Sequence, residues 1–143
     1  MNITKKFDPE LHAKYDEAGR NVVKHYLQRR FGLVCNDNPN IYGVDLIANW
    51  QGKPRYYVEV EVRQWEPHCP HSTIHIASRK QKLFDNDMRT LFFALSQSMD
   101  FGYYIDTEHV MHQPRVEVPN KLVKRGEYFY NVPVRYFTYD RMR

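Results

Sequence analysis

The sequence predicts an α/β fold: a single domain over residues 1–143, built on a central mixed β-sheet. The expected order is helix, strand, strand, strand, helix, strand, with extra strands towards the C-terminus. Three observations carry that expectation. Tyr56 to Arg63 (Tyr-Tyr-Val-Glu-Val-Glu-Val-Arg) alternates apolar and polar residues, the mark of a strand with one buried face. Near the N-terminus Ala18, Val22, Val23, Tyr26 and Leu27 repeat at helical spacing and form an apolar stripe. Leu91-Phe92-Phe93-Ala94-Leu95 is a continuous apolar run of buried-strand length.

The helix is expected from Pro9 to Phe31, with Asp8 as N-cap, Pro9 in the first helical position and Gly32 as the stop. Leu33-Val34-Cys35 opens a strand, and Asn36 to Asn40, with Pro39, is turn chemistry. Tyr42 to Asn49 is a second strand, joined to the alternating one through Gln51-Gly52-Lys53-Pro54. With the turn centred on Gly52, Asp45 falls opposite Glu59 and on the same sheet face as Glu61. Gln64 to Ala77, containing Pro67 and Pro70, is expected to be a loop with some extended character, and Ser78 to cap a short helix running to about Met88. Tyr103 to Asp106 is the expected hairpin partner of the apolar run. Tyr128 to Tyr139 alternates aromatic and polar residues as a further strand, which Pro133 moves to a sheet edge or bulge.

Composition excludes several classes. Hydrophobic residues are 42% and charged residues 27%, as in ordinary globular chains. No apolar run approaches the ~20 residues of a membrane span, and the first residues lack the apolar core of a secretory signal. Cys35 and Cys69 are too few for a disulfide framework, so a reducing cytoplasm is the expected location. The net charge of +4, with a pI near 9.0, favours a polyanionic partner. From Gln113 onward the basic residues Arg115, Lys121, Lys124, Arg125, Arg135, Arg141 and Arg143 face only Glu117, Glu127 and Asp140. A second basic cluster is Arg79, Lys80 and Lys82. Either cluster is compatible with a solvated face; together they suggest nucleic-acid contact through Arg79, Lys80, Lys82, Lys124 and Arg125. The aromatic-rich stretches around Tyr103, Tyr128 and Tyr136 are expected in the core.

Like charges facing each other across a ladder destabilise it. Asp45, Glu59 and Glu61 converging on one face therefore point to a divalent cation, the plainer alternative being a solvated acidic hairpin.

Asp45, thirteen intervening residues and then Glu59-Val60-Glu61 resembles the PD-(D/E)XK nuclease superfamily. That family includes restriction endonucleases, Holliday-junction resolvases and phage recombination nucleases. Its core order matches the elements expected from Pro9 to about Ser96. The resemblance implies a restriction endonuclease-like core and Mg²⁺- or Mn²⁺-dependent hydrolysis of phosphodiester bonds. By it, Asp45, Glu59 and the Val60 carbonyl would be metal ligands. Val44 stands where the family pattern has Pro, and Glu61 where it has Lys. Some members carry Glu there; others place the Lys on the following helix, where Lys80 is the first candidate and Lys82 the second. The first helix of the family often supplies another acid, here Asp16 or Glu17, and helical phase favours Asp16.

His68, Cys69, His71 and His75 offer zinc-type donors, but their spacing matches no closed structural site; a loop near the scissile phosphate suits them better. The functional expectation is an endonuclease acting on DNA, branched or nicked substrates included. Asp45, Glu59, Glu61 and Lys80 would be catalytic, on a small phage- or resolvase-type protein working as a homodimer. The alternative is a non-catalytic nucleic-acid-binding module on the same fold.

Overall fold

Helix α1 spans Pro9–Phe31 in the computed structural model of the chain, which describes residues 9–84, 87–118 and 127–143. Asp8, its expected cap, lies outside the described residues. The C-terminal stop is as expected: Gly32 adopts φ +70° and its N–H donates to Gln28 O at 2.9 Å. The Leu33 N–H reaches back to Leu27 O at 3.2 Å, which satisfies a second terminal carbonyl. The buried stripe is Gly19, Val22, Val23, Tyr26 and Leu27; Ala18, expected on it, is exposed, and Gly19 takes that place. The reason is close approach. A Cβ at Gly19 would lie 3.1 Å from Val62 Cγ2 and 3.4 Å from Val60 Cγ1. Gly19→Leu is accordingly expected to cost about 1–3 kcal/mol by overpacking, read as a lower urea midpoint.

Strands β1 (Val34–Asp37), β2 (Leu46–Trp50), β3 (Lys53–Val62) and β4 (Thr73–Ala77) follow in order. After a 3₁₀ turn at Ser78–Lys80 come helix α2 (Gln81–Phe84), β5 (Arg89–Leu95) and β6 (Phe101–Asp106). The chain closes with β7 (Arg115–Val118), β8 (Glu127–Pro133) and β9 (Thr138–Arg141). Six strands form a mixed sheet in the order β1-β2-β3-β5-β6-β9, in which β3 and β5 are the parallel pair. Three more form an antiparallel sheet, β4-β8-β7. This second sheet departs from the expectation of a single one.

The large sheet is buried on both faces. Towards α1, Leu46, Ala48, Val58, Val60, Phe93 and Leu95 pack with Val22, Val23, Tyr26 and Leu27. On the other face, Phe92, Ala94, Tyr103 and Ile105 pack against Ile74, Ile76, Tyr130 and Val132 of the smaller sheet. Fully burying side chains of this size is worth about 1.5–3 kcal/mol each, so the layering is set by apolar burial.

Two hairpin details fix the register. Gln51 (φ 50°) and Gly52 (φ 78°) form a two-residue turn, the kind whose twist matches paired strands. That turn lies one step off a Gly52 centre, but an irregularity between Ala48 and Asn49 takes up the difference, so Leu46 pairs with Val58 as expected. Elsewhere the expectations need correction. Gln64 to Ala77 is not all loop, because Ile74 and Ile76 alternate inward as β4. Ser78 is not an N-cap: the segment opens on Ala77 with no side-chain cap bond, and α2 is four residues long. The tail is two strands, for β8 ends at Pro133 and the chain crosses through a 3₁₀ turn at Val134–Tyr136 into the other sheet. Among the described residues no helix is long and apolar enough to cross a membrane.

Candidate active site

Alternation along β3 sends Val58 and Val60 into the α1 core and Glu59 and Glu61 to the opposite face. Glu59 is buried, with 5% of its surface accessible. Asp45 sits one residue before β2, and its Oδ2 accepts the Val60 N–H at 2.8 Å. The segment carrying it is tied down as well, since the Asn38 N–H donates to Asp45 O at 3.0 Å. The Asp45 carboxyl adjoins that of Glu59 closely enough to favour a proton on Glu59. The Lys80 ammonium, delivered by the turn after β4, donates to Glu59 Oε2 at 3.1 Å and lies 3.5 Å from Glu61 Oε1. Arg63 completes the row: its Nη2 is 3.3 Å from Glu61 Oε2 and donates to His75 O at 2.7 Å.

Asp45, Glu59 and Glu61 thus face two cations, Lys80 and Arg63, so the cluster carries excess negative charge only when all three carboxyl groups are ionised. Burial, the adjoining Asp45 carboxyl and its charge outweigh Lys80 and push the Glu59 pKa up to about 8. Burial works to lower the Lys80 pKa, but the fields of Glu61, Glu59 and Asp45 prevail and hold it above its ordinary value. Lys80 is therefore a fixed cation near neutral pH.

The donor set suits a hard cation. Mg²⁺ is commonly held by one or two carboxylates, with water and substrate phosphate supplying the rest, and Asp45 and Glu59 are the carboxyl groups here that could take that part. Among the described residues no group of three or more His, Cys, Asp or Glu side chains could hold an ion by itself. Glu61 is instead engaged by Lys80 and Arg63, and the contribution Val60 makes is its N–H to Asp45.

The other expected residues are dispersed. Asp16 is half-buried on α1, the helix that packs against the face opposite the Glu59 side chain, and Glu17 is exposed. Arg79 and Lys82 are exposed near the cluster, while Lys124 and Arg125 lie outside the described residues. The His-Cys segment does not gather: the His68 ring lies 4.9 Å from that of Tyr139, the Cys69 N–H donates to Tyr103 Oη, and His75 sits on β4 beside Phe129. Sequence reasoning missed Arg63, although its position two residues beyond Glu61 on an alternating strand carried the signal. It also took Asn36 to Asn40 simply as a turn. That stretch walls a cavity of ≈360 Å³ beside the cluster, lined by Asn38, Asn40, Tyr42, Val44, Tyr57 and Lys82 among others. A larger cavity of ≈410 Å³ lies on the α1 side, lined by Phe31, Trp50, Tyr56 and Tyr104 and lacking carboxylates. Volume therefore does not locate the chemistry.

Comparison of the chain with protein-family models, curated proteins and solved structures finds no match.

Proposed function

We propose that this chain is a Mg²⁺- or Mn²⁺-dependent endonuclease that hydrolyses phosphodiester bonds in DNA at the Asp45–Glu59–Lys80 cluster. Its element order and the spacing of Asp45 to Glu59-Val60-Glu61 resemble the PD-(D/E)XK nucleases. The observation that carries the reading is the position of Lys80. Glu61 stands where the family pattern has lysine, and Lys80, in the turn after β4, brings an ammonium group within 3.1 Å of Glu59 Oε2 that would take the lysine's part.

In the proposed reaction water oxygen forms a bond to phosphorus, the bridging P–O bond breaks, and the departing oxygen takes a proton from solvent water. A bound Mg²⁺ held by Asp45 and Glu59 would neutralise phosphate charge and acidify water. Lys80, kept protonated by three carboxylates, faces the developing negative charge as a preorganised cation. Glu61, held by Lys80 and Arg63, would accept the proton of the attacking water. Arg79 and Lys82 are exposed, and in this reading they would contact the phosphate backbone. A second copy of the chain would let so small a protein span a duplex.

The experiment is incubation of supercoiled and branched DNA with the protein in Mg²⁺ or in EDTA. Nicked or linear product that requires the metal is the expected result; intact DNA under both conditions sinks the enzyme reading. A second reading, a nucleic-acid-binding module without turnover, is favoured by one observation: Lys80 already neutralises part of the charge that an ion would serve. It predicts salt-sensitive binding and no cleavage.

A further inference from the structure

The cavity beside the carboxylates calls for an occupant. Its floor is the Ile47–Tyr57 pair, the next same-face pair along the ladder from Asp45 and Glu59. Two residues along a strand is about 7 Å, within the reach of one nucleotide. One wall is the Asn38–Val44 loop, held in a fixed shape by its own side chains. Asn38 Nδ2 donates to Val44 O at 2.9 Å, Asn38 Oδ1 accepts the Asn40 N–H, and Asn40 Oδ1 accepts the Tyr42 N–H, the last two at 3.1 Å. Gly43 keeps this wall open, because a Cβ there would come within 2.7 Å of Asn38 Nδ2. The opposite wall carries Lys82.

The polar groups of the lining are amide, phenol and ammonium, set among the apolar Val44, Ile47 and Leu83, with no carboxylate. Tyr42 is 83% exposed, a ring standing at the mouth without the packing that explains most aromatics in this chain. Such a set stacks on a base, hydrogen-bonds its edge and neutralises its phosphate. At ≈360 Å³ the cavity has room for a single nucleobase with its sugar and none for a stacked pair.

We infer that this cavity receives an unpaired nucleobase next to the scissile phosphate, so that the substrate is a strand with an unpaired nucleotide rather than continuous duplex. The inference rests on the nuclease reading for the position of the phosphate. A base locked in a paired stack cannot enter; one in a flap, bulge or single strand enters without the cost of flipping.

The test uses the full chain carrying Asp45→Asn, in EDTA, so that no cleavage intervenes. Its probes are DNA oligonucleotides with 2-aminopurine in a bulge, in a single strand or in a perfect duplex. Bulged and single-stranded probes are expected to bind about tenfold or more tighter than duplex, and a further Tyr42→Ala change to remove about tenfold of that. Equal affinity for duplex, or no effect of Tyr42→Ala, overturns the inference. RNA of the same sequence that competes as well as DNA supports a pocket selecting the base alone; RNA that fails supports one that also selects the sugar. The two readings fail separately. Bulge-selective binding with no metal-dependent cutting by the unaltered protein removes the nuclease and leaves the pocket. Cutting of perfect duplex as fast as bulged DNA removes the pocket and leaves the nuclease.

Discussion

Asp45→Asn is expected to lower Mg²⁺-dependent DNA cleavage by about 10²–10³-fold while leaving the protein folded. The substitution keeps size and keeps an oxygen able to accept the Val60 N–H, the 2.8 Å bond that anchors the start of β2 to β3. What it removes is charge, the property the proposed ion requires. Stability should move the other way. Above pH 8, where Glu59 is ionised and the cluster has more carboxylate charges than cations, the variant in EDTA is expected to melt higher than the parent, because Glu59 no longer faces a second anion. Lys80→Met supplies the contrast. It strips the buried carboxylates of their partner and is expected to destabilise by about 3–5 kcal/mol as well as to impair cleavage. The measurements are plasmid cleavage and thermal unfolding of the same preparations. Undiminished cleavage by Asp45→Asn would show that the chemistry lies elsewhere.

The pH dependence of stability gives the second large effect. Glu59 in the folded chain titrates at about 8, against an ordinary value of 4.5. Between those values the folded state holds a proton that the unfolded state has released. Unfolding free energy therefore falls as pH rises through that window and levels off above it, with a slope of up to about 1.4 kcal/mol per pH unit from this one group. In EDTA the melting temperature should decline from pH 5 to pH 8. Glu59→Gln should flatten that decline. Saturating Mg²⁺ should raise the curve most at the alkaline end, because an ion bound to the folded state competes with the proton and adds its own binding energy. A melting curve indifferent to Mg²⁺ at pH 8–9 would remove the metal site and, with it, the proposed role of Asp45.

How much of this was legible depended on how local the determining forces were. The acidic face of β3 was readable because alternation is a property of adjacent residues, and its pairing with β2 because Gln51-Gly52 is a local turn. Gly32 was readable for the same reason. Lys80 was named from a family pattern, and its approach to Glu59 joins a strand of the large sheet to the turn that follows a strand of the small one. β4 was missed although Ile74 and Ile76 alternate, since its partner, β8, lies far along the chain and two prolines precede it. Pro133 was read as marking a sheet edge or a bulge within one strand, not the end of that strand. That the chain would leave one sheet for the other there depended on where Tyr130 and Val132 on one side, and Tyr139 on the other, could be buried. Arg63 went unnoticed because a charged residue after a strand usually signals solvent, whereas here its guanidinium turns back to Glu61 and the His75 carbonyl.

Lys80 comes from the 3₁₀ turn directly after β4, while its carboxylate partners stand on β3. Proposed ligand pair and proposed cation thus belong to separately hydrogen-bonded units whose mutual fit is maintained by the Phe92, Ile74 and Tyr130 layer. Peeling the smaller unit away would disarm the cluster with every ladder bond of the larger one intact. Inactivation in a denaturant ramp would then run ahead of helix loss, and catalysis becomes a sensor of interlayer docking.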